Sequence, residues 1–298
     1  MPREPFGSWV RARNDAGLYL CSGLDPDDSL IPPGVSLKSY LVDTIDAAAP
    51  NTGCFKPNAA FYEWRRRMEP EGLTGQEILA EIVAYIHQSY RDIPVICDCK
   101  RGDIGNTNIP YAKEFFDWID VDAITVNGYV GGGALDPFFE REERGIIVMC
   151  ITSNPEAEEI QKRPTQVDPP ILGQSVVPLY QYVAYRGANA WNARGNCGLV
   201  VGATFPEEAE KVTQIAPVLF KLVPGIGDQG GKITEAVKGV FVSDGMAVYN
   251  ISRALGGAWL RGPFKVDDPR DFAQAAGNSA RHHNEALVKA YEELRRAA

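Results

Sequence analysis

Asp98-Cys99-Lys100-Arg101-Gly102-Asp103 sets a lysine between two carboxylates, directly behind the apolar run Ile93-Pro94-Val95-Ile96-Cys97. The run reads as a buried strand. Period-two alternation sends the Asp98 and Lys100 side chains to one face at its end. Negative charge on both sides of an ammonium favours its protonated form. A lysine held in this way suits a general acid that hands a proton to carbon. It does not suit an amine nucleophile, which attacks only when neutral. The plainer reading of an Asp-x-Lys triplet is a surface ion pair, so the rest of the chain decides between them.

Short apolar segments that read as strands recur at residues 18–23, 53–56, 94–99, 123–127, 146–151, 198–202, 218–223 and 247–251, with helical stretches between. Thr74-Gly75-Gln76-Glu77 has the form of a capping box ahead of an amphipathic run. Ser153-Asn154-Pro155-Glu156 and Thr204-Phe205-Pro206-Glu207 repeat the pattern with a first-turn proline. Strict alternation predicts a parallel sheet, and eight strands predict a single-domain (β/α)8 TIM barrel, a fold of about 250 residues. Residues 157–177, rich in proline and charge, read as an insertion or mobile loop, and residues 270–298 as a C-terminal helix outside the barrel.

In a barrel the carboxyl ends of the strands line the active site. Polar residues gather there: Asp25 after the first strand, Lys56 at the second, Asp98, Lys100 and Asp103 at the third. Thr152 and Ser153 follow the fifth, Pro224 to Gly231 the seventh, Ser252 and Arg253 the eighth. A structural salt-bridge network is the competing explanation. The glycine-rich segment after the seventh strand can turn backbone N–H groups toward an anion, and Arg253 adds a fork suited to phosphate. Gly225, Gly227 and Gly230, with Asp244 further on, also satisfy the dinucleotide fingerprint, but at the seventh strand of an alternating array a phosphate grip fits better.

The chain carries 30 basic and 39 acidic residues, a net charge of −9. That balance argues against nucleic-acid binding. Arg65-Arg66-Arg67, the longest basic run, reads as a solvated face. Residues 1–17 are polar without a signal-peptide core, and no apolar run approaches a membrane span, which predicts a cytoplasmic protein. The six cysteines sit in or beside strand-like segments, as buried reduced thiols do.

Five segments together resemble the orotidine 5′-phosphate decarboxylase family, and its type 2 (bacterial) branch in detail. They are Leu20-Cys-Ser-Gly-Leu-Asp-Pro26, Phe55-Lys-Pro-Asn-Ala-Ala-Phe-Tyr-Glu63, Asp98-Cys-Lys-Arg-Gly-Asp-Ile-Gly-Asn-Thr107, Val200-Val-Gly-Ala-Thr204 and Val223-Pro-Gly-Ile-Gly-Asp-Gln-Gly-Gly231. The resemblance implies cofactor-free, metal-free decarboxylation of orotidine 5′-monophosphate to uridine 5′-monophosphate. It implies Lys100 as proton donor to C6, Asp98 facing the departing carboxylate, and Lys56 and Asp25 at the ribose. Asp103 and Thr107 would reach a neighbouring subunit's site in a homodimer. Ser153 would meet the pyrimidine, with Thr152 and Asn154 as alternatives, and Pro224, Gln229 and Arg253 would line or grip the phosphate end. Two other readings stand beside it: a Mg²⁺-dependent sugar-phosphate lyase of the same barrel superfamily, and a non-enzymatic phosphate-ligand sensor.

Overall fold

The computed structural model describes residues 4–66, 72–227, 230–242 and 245–297. Ten strands follow in chain order: β1 Leu20–Leu24, β2 Cys54–Pro57, β3 Ile96–Arg101, β4 Ala123–Val126, β5 Gly145–Ile151, β6 Pro164–Ile171, β7 Gln174–Pro178, β8 Cys197–Val201, β9 Phe220–Val223 and β10 Ala247–Ile251. Eight of them form one parallel sheet in the order β2-β1-β10-β9-β8-β5-β4-β3. Its two edges meet through single bridges, Phe55 to Val95 and Asn58 to Asp98. The Phe55 N–H donates to the Pro94 carbonyl at 3.0 Å and the Ala59 N–H to the Asp98 carbonyl at 3.2 Å. The result is a (β/α)8 barrel, and each of the eight expected strands is present within a few residues. Most barrel strands are buried along their whole length because helices cover one face and the packed interior the other. β3 departs from that pattern at its carboxyl end, where Lys100 is exposed.

Inside the barrel Cys21, Cys54, Ile96, Ile147, Phe220 and Val248 pack together, and Phe6 and Val10 join them from the helix Phe6–Asp15. That helix closes the amino-terminal end of the barrel, so the stretch read as merely polar carries a plug. All six cysteines are buried and free. The helix Phe272–Ala297 packs outside as expected and pins the start of β1. Its Asn284 side chain accepts from the Tyr19 and Leu20 N–H groups (2.9 and 3.2 Å) and donates to the Gly17 carbonyl (3.0 Å). Among the described residues no helix is long and apolar enough to cross a membrane.

The Thr74 capping box forms, with the Thr74 N–H donating to Glu77 Oε2 at 2.7 Å. Thr204 and Ser153 do not cap helices. The helix Pro206–Ile215 has no side-chain cap, and the Thr204 hydroxyl instead donates to the Ser153 carbonyl at 2.8 Å, tying two strand-end loops together. Residues 157–177 form no structureless loop. A helical turn, Ala157–Ile160, leads into the antiparallel hairpin β6–β7, reversed at Leu172 and Gly173 in left-handed backbone conformation. Val167, Ile171 and Val177 give the hairpin a small apolar cluster against Tyr182 and Tyr185. The basic run is also not simply solvated. Arg65 is buried, ion-paired with Asp28 and donating to the Pro26 carbonyl, which braces the loop after β1.

Candidate active site

The carboxyl ends of the strands surround a cavity of about 410 Å³. Asp25, Lys56, Asp98, Lys100, Ser153, Pro224 and Arg253 all line it, so the barrel gathers seven of the ten residues anticipated from sequence. A cavity of about 480 Å³ at the opposite end, beneath the helix Phe6–Asp15, contains none of them.

β3 does not run regularly into the site. Cys97 pairs with Ile124 and Arg101 with Val126, so the intervening residues bulge out of register. Lys100 takes φ +48°, a left-handed conformation unusual for a side chain of this kind. Such a residue costs on the order of 1–3 kcal/mol and persists where neighbours over-determine it. Thr125 on β4 is one such neighbour: its Oγ1 accepts from the Lys100 N–H at 3.0 Å and donates to Asp98 Oδ1 at 2.9 Å. Arg101 is the other. Its guanidinium donates to the Cys99 carbonyl at 3.0 Å, pairs with Glu63, and lies over the Tyr111 and Phe115 rings. Neither role was visible in the sequence pattern.

Charges alternate along this rim. Lys100 Nζ donates to Asp98 Oδ1 at 2.7 Å, Lys56 Nζ donates to Asp98 Oδ2 at 3.3 Å, and Lys56 stands 4.0 Å from Asp25. Lys56 is buried, whereas the Lys100 side chain is 50% exposed at the mouth. Burial alone would raise the Asp98 carboxyl. The Lys56 and Lys100 charges, with hydrogen bonds from Lys100 and Thr125, outweigh it and hold the carboxyl well below its ordinary value. Burial would likewise lower Lys56, but the Asp25 and Asp98 charges raise it well above the ordinary lysine range. Both groups are therefore ionised at neutral pH. The Asp25 oxygen that faces Lys56 at 4.0 Å is buried without a hydrogen-bond partner, so the ammonium charge is what offsets its burial.

Across the cavity, the Thr152 hydroxyl donates to Asn154 Oδ1 at 2.7 Å and accepts from Gln161 at 2.8 Å. The Asn154 amide donates to Glu156 at 2.9 Å. After β9 the chain doubles back: Gly225, Gly227 and Gly230 all take positive φ, and the Gly231 N–H donates to the Gly225 carbonyl at 3.1 Å. Residues with a Cβ rarely adopt those angles, which explains the glycine spacing without a dinucleotide. β9 lies within the closed barrel, and Phe241 and Val242 form no strand, so the dinucleotide fold is not built. Gln229 and Asp244 lie outside the described residues.

Asp103 and Thr107 do not line the cavity of their own chain. Among the described residues of its own chain, Asp98 is the carboxylate that contacts Lys100, and Asp103 stands apart from it. The exposed Asp103 carboxylate accepts from the Ile104 N–H at 2.7 Å. Its loop is turned away by Asn108, which is fully buried. Asn108 accepts from the Asp103 N–H at 3.0 Å and donates to the Asp103 and Ala134 carbonyls. Ile104, Ile109, Tyr129 and Val130 stand exposed on the same side of the fold, after β3 and β4.

A profile of the Orotidine 5′-phosphate decarboxylase / HUMPS family matches residues 18–259. The chain belongs to that family. It is 39% identical over 281 residues to an orotidine 5′-phosphate decarboxylase of Cupriavidus taiwanensis, covering 92% of this chain and 93% of the relative. It resembles the solved OMP decarboxylase of Leishmania donovani with a TM-score of 0.74 and 30% identity, over 95% of this chain and 98% of that one. UMP synthase of the same organism superposes with a TM-score of 0.76 and 31% identity. There the match covers 95% of this chain and 56% of the longer protein. The matched segment includes every residue of the charged rim.

Proposed function

We propose that the chain decarboxylates orotidine 5′-monophosphate to uridine 5′-monophosphate and CO₂, as a member of the type 2 branch, in a homodimer with shared sites. The observation that carries the reading is the alternating set Lys100, Asp98, Lys56 and Asp25 in one cavity with Arg253.

Loss of CO₂ from C6 leaves a lone pair in the plane of the pyrimidine, where the ring π system cannot spread it. Fixed positive charge is then the means of stabilisation, and it is effective because it is in place before the bond breaks. The Lys100 ammonium, oriented by Asp98, meets the new anion and transfers its proton to C6. Asp98 faces the substrate carboxylate. Asp25, on the cavity wall, accepts from a ribose hydroxyl, and Lys56 stands between the two aspartates. At the pyrimidine edge Ser153, which lines the cavity, makes the contact, with Thr152 and Asn154 on the same wall as alternatives. Pro224, Gln229 and Arg253 take the phosphate, remote from the reacting carbon, where binding energy orients the ring.

The Mg²⁺-dependent lyase fits less well because the place between Asp25 and Asp98, where carboxylates would share a dication, is filled by the Lys56 ammonium. Asp103 and Thr107 support shared sites by standing outside their own cavity beside exposed apolar residues. The test is a spectrophotometric assay with orotidine 5′-monophosphate in EDTA-treated buffer. Full turnover is expected, and inactivity restored by Mg²⁺ would favour the lyase. Mixing Lys100→Ala with Asp103→Ala subunits should recover activity through one intact site per heterodimer. No recovery would refute sharing.

A further inference from the structure

Arg253 and Ala254 belong to two walls. Besides lining the active-site cavity, they line a second one of about 310 Å³, which Arg261, Phe264, His282 and His283 complete. That volume lies at the lower end of the about 300–1,000 Å³ range of ligand sites. The chain as a whole is acidic, at −9, yet no carboxylate is among the described residues lining this cavity. The active-site cavity, by contrast, holds Asp25, Asp27 and Asp98.

The walls are anchored. The Trp259 indole donates to the Leu30 carbonyl at 2.8 Å, and the Gly257 N–H donates to the Arg253 carbonyl at 2.9 Å. The His282 ring packs against Phe264 and His283, with centroids 5.4 and 5.3 Å away. His283 Nδ1 donates to the Ser279 carbonyl at 2.7 Å. In the neutral ring that leaves Nε2 an acceptor, so His283 walls the cavity rather than gripping an anion. Arg253, Arg261 and His282 are the donors. A guanidinium carries five N–H groups in a planar fork, so one arginine can hold a phosphoryl oxygen on each of two edges.

We propose that this second cavity is an anion subsite for the β-phosphoryl group of a nucleoside 5′-diphosphate whose α-phosphoryl group occupies the active-site side of Arg253. The placement of the α-phosphoryl group rests on the function proposed above. A diphosphate spans both cavities and competes with the monophosphate substrate.

Titration calorimetry with uridine 5′-monophosphate and uridine 5′-diphosphate tests this on the full chain. One added charge-assisted contact corresponds to about tenfold tighter binding of the diphosphate. Arg261→Gln should bring the diphosphate to the affinity of the monophosphate while leaving monophosphate binding and decarboxylation unchanged. His282→Asn supplies the same test, with a smaller loss, should Arg261→Gln fail to fold. Equal affinities in the unmodified protein, or a tenfold preference that survives both substitutions, would overturn the subsite. A chain that prefers the diphosphate but does not decarboxylate orotidine 5′-monophosphate would overturn the proposed function and leave the subsite standing.

Discussion

Two buried lysines in separate regions of this barrel are shifted in opposite directions. Lys56, at the catalytic rim, and Lys221, on the outer face of β9, are 2% and 1% exposed. Lys221 Nζ donates to the carbonyls of Ala216 and Pro217, at 2.9 and 3.0 Å, and burial lowers it from 10.5 to about 8. Lys56 suffers the same desolvation but faces Asp25 and Asp98, whose charges carry it upward. Backbone dipoles satisfy an ammonium's hydrogen bonds without holding its charge at alkaline pH; carboxylates do both. The rim therefore keeps the Lys56 charge through full charges placed in advance, the arrangement electrostatic catalysis requires.

The sharpest way to break that contrast is to remove the cation assigned the chemistry. Lys100→Ala should lower kcat about 10⁴-fold, the upper end for proton transfer by one group. Product affinity should change little, since Arg253 and the phosphate loop are untouched. Stopped assays with calorimetry of uridine 5′-monophosphate check both halves. Asp98→Asn should follow at about 10³-fold in kcat. It should also destabilise the fold by about 3 kcal/mol, because Lys56 loses a buried partner. The sign of the pH dependence is set by the depressed Asp98 value: its stabilisation is complete above about pH 4 and is lost as acid carries the pH down through the folded-state value. Urea unfolding should show the gap between unmodified and variant protein narrowing below pH 4. A gap constant with pH would mean that Asp98 is not held by its neighbours' charge.

Much of the rim was legible because its residues sit at strand ends, where apolar runs of period two give way to charge. The barrel followed from counting those runs. What was hidden depended on partners distant in sequence. The bulge at Lys100 is braced by Thr125, and the outward turn of Asp103 by a buried Asn108 that reads as an ordinary helical residue. The β6–β7 hairpin escaped because Pro164, Pro169, Pro170 and Pro178 break its alternation. Phe6 and Val10, four residues apart, did carry a helical signal for the plug, as did Lys221 for its own burial. It alternates with Phe220 and Leu222, whose side chains fill the barrel, and so faces the helices outside.

The Lys221 half of the comparison is tested by stability. Its folded-state value is below its unfolded value, so the folded chain binds fewer protons between about pH 8 and 10.5. Stability from this site rises with pH across that window, by roughly 3 kcal/mol in total. Lys56 behaves oppositely: its contribution is present below its ordinary value of 10.5 and is lost only as pH climbs through its raised one. Lys221→Met retains every tyrosine, so the difference in unfolding free energy between variant and unmodified protein isolates Lys221. It should move in favour of the unmodified protein from pH 8 to 10.5. A flat difference would show that the two carbonyls hold the ammonium charged and that the contrast with Lys56 is false.

The smallest effect asks whether charge at the rim must also be aimed. Thr125 lines the cavity, but its hydroxyl is committed to Asp98 and the Lys100 backbone, so it acts through them. Thr125→Val preserves the shape but removes the hydroxyl, leaving Lys100's N–H without its acceptor and Asp98 with one donor fewer. Misplacement of a catalytic group by about 1 Å can cost up to about 100-fold, so kcat should fall about ten- to a hundredfold with KM unchanged. Thr125→Ser keeps the hydroxyl and should restore most of the rate, an outcome that a simple packing defect would not produce. If the valine variant instead retains full kcat, the bulge holds Lys100 without help from β4, and the alternating charges suffice without a hydroxyl to orient them.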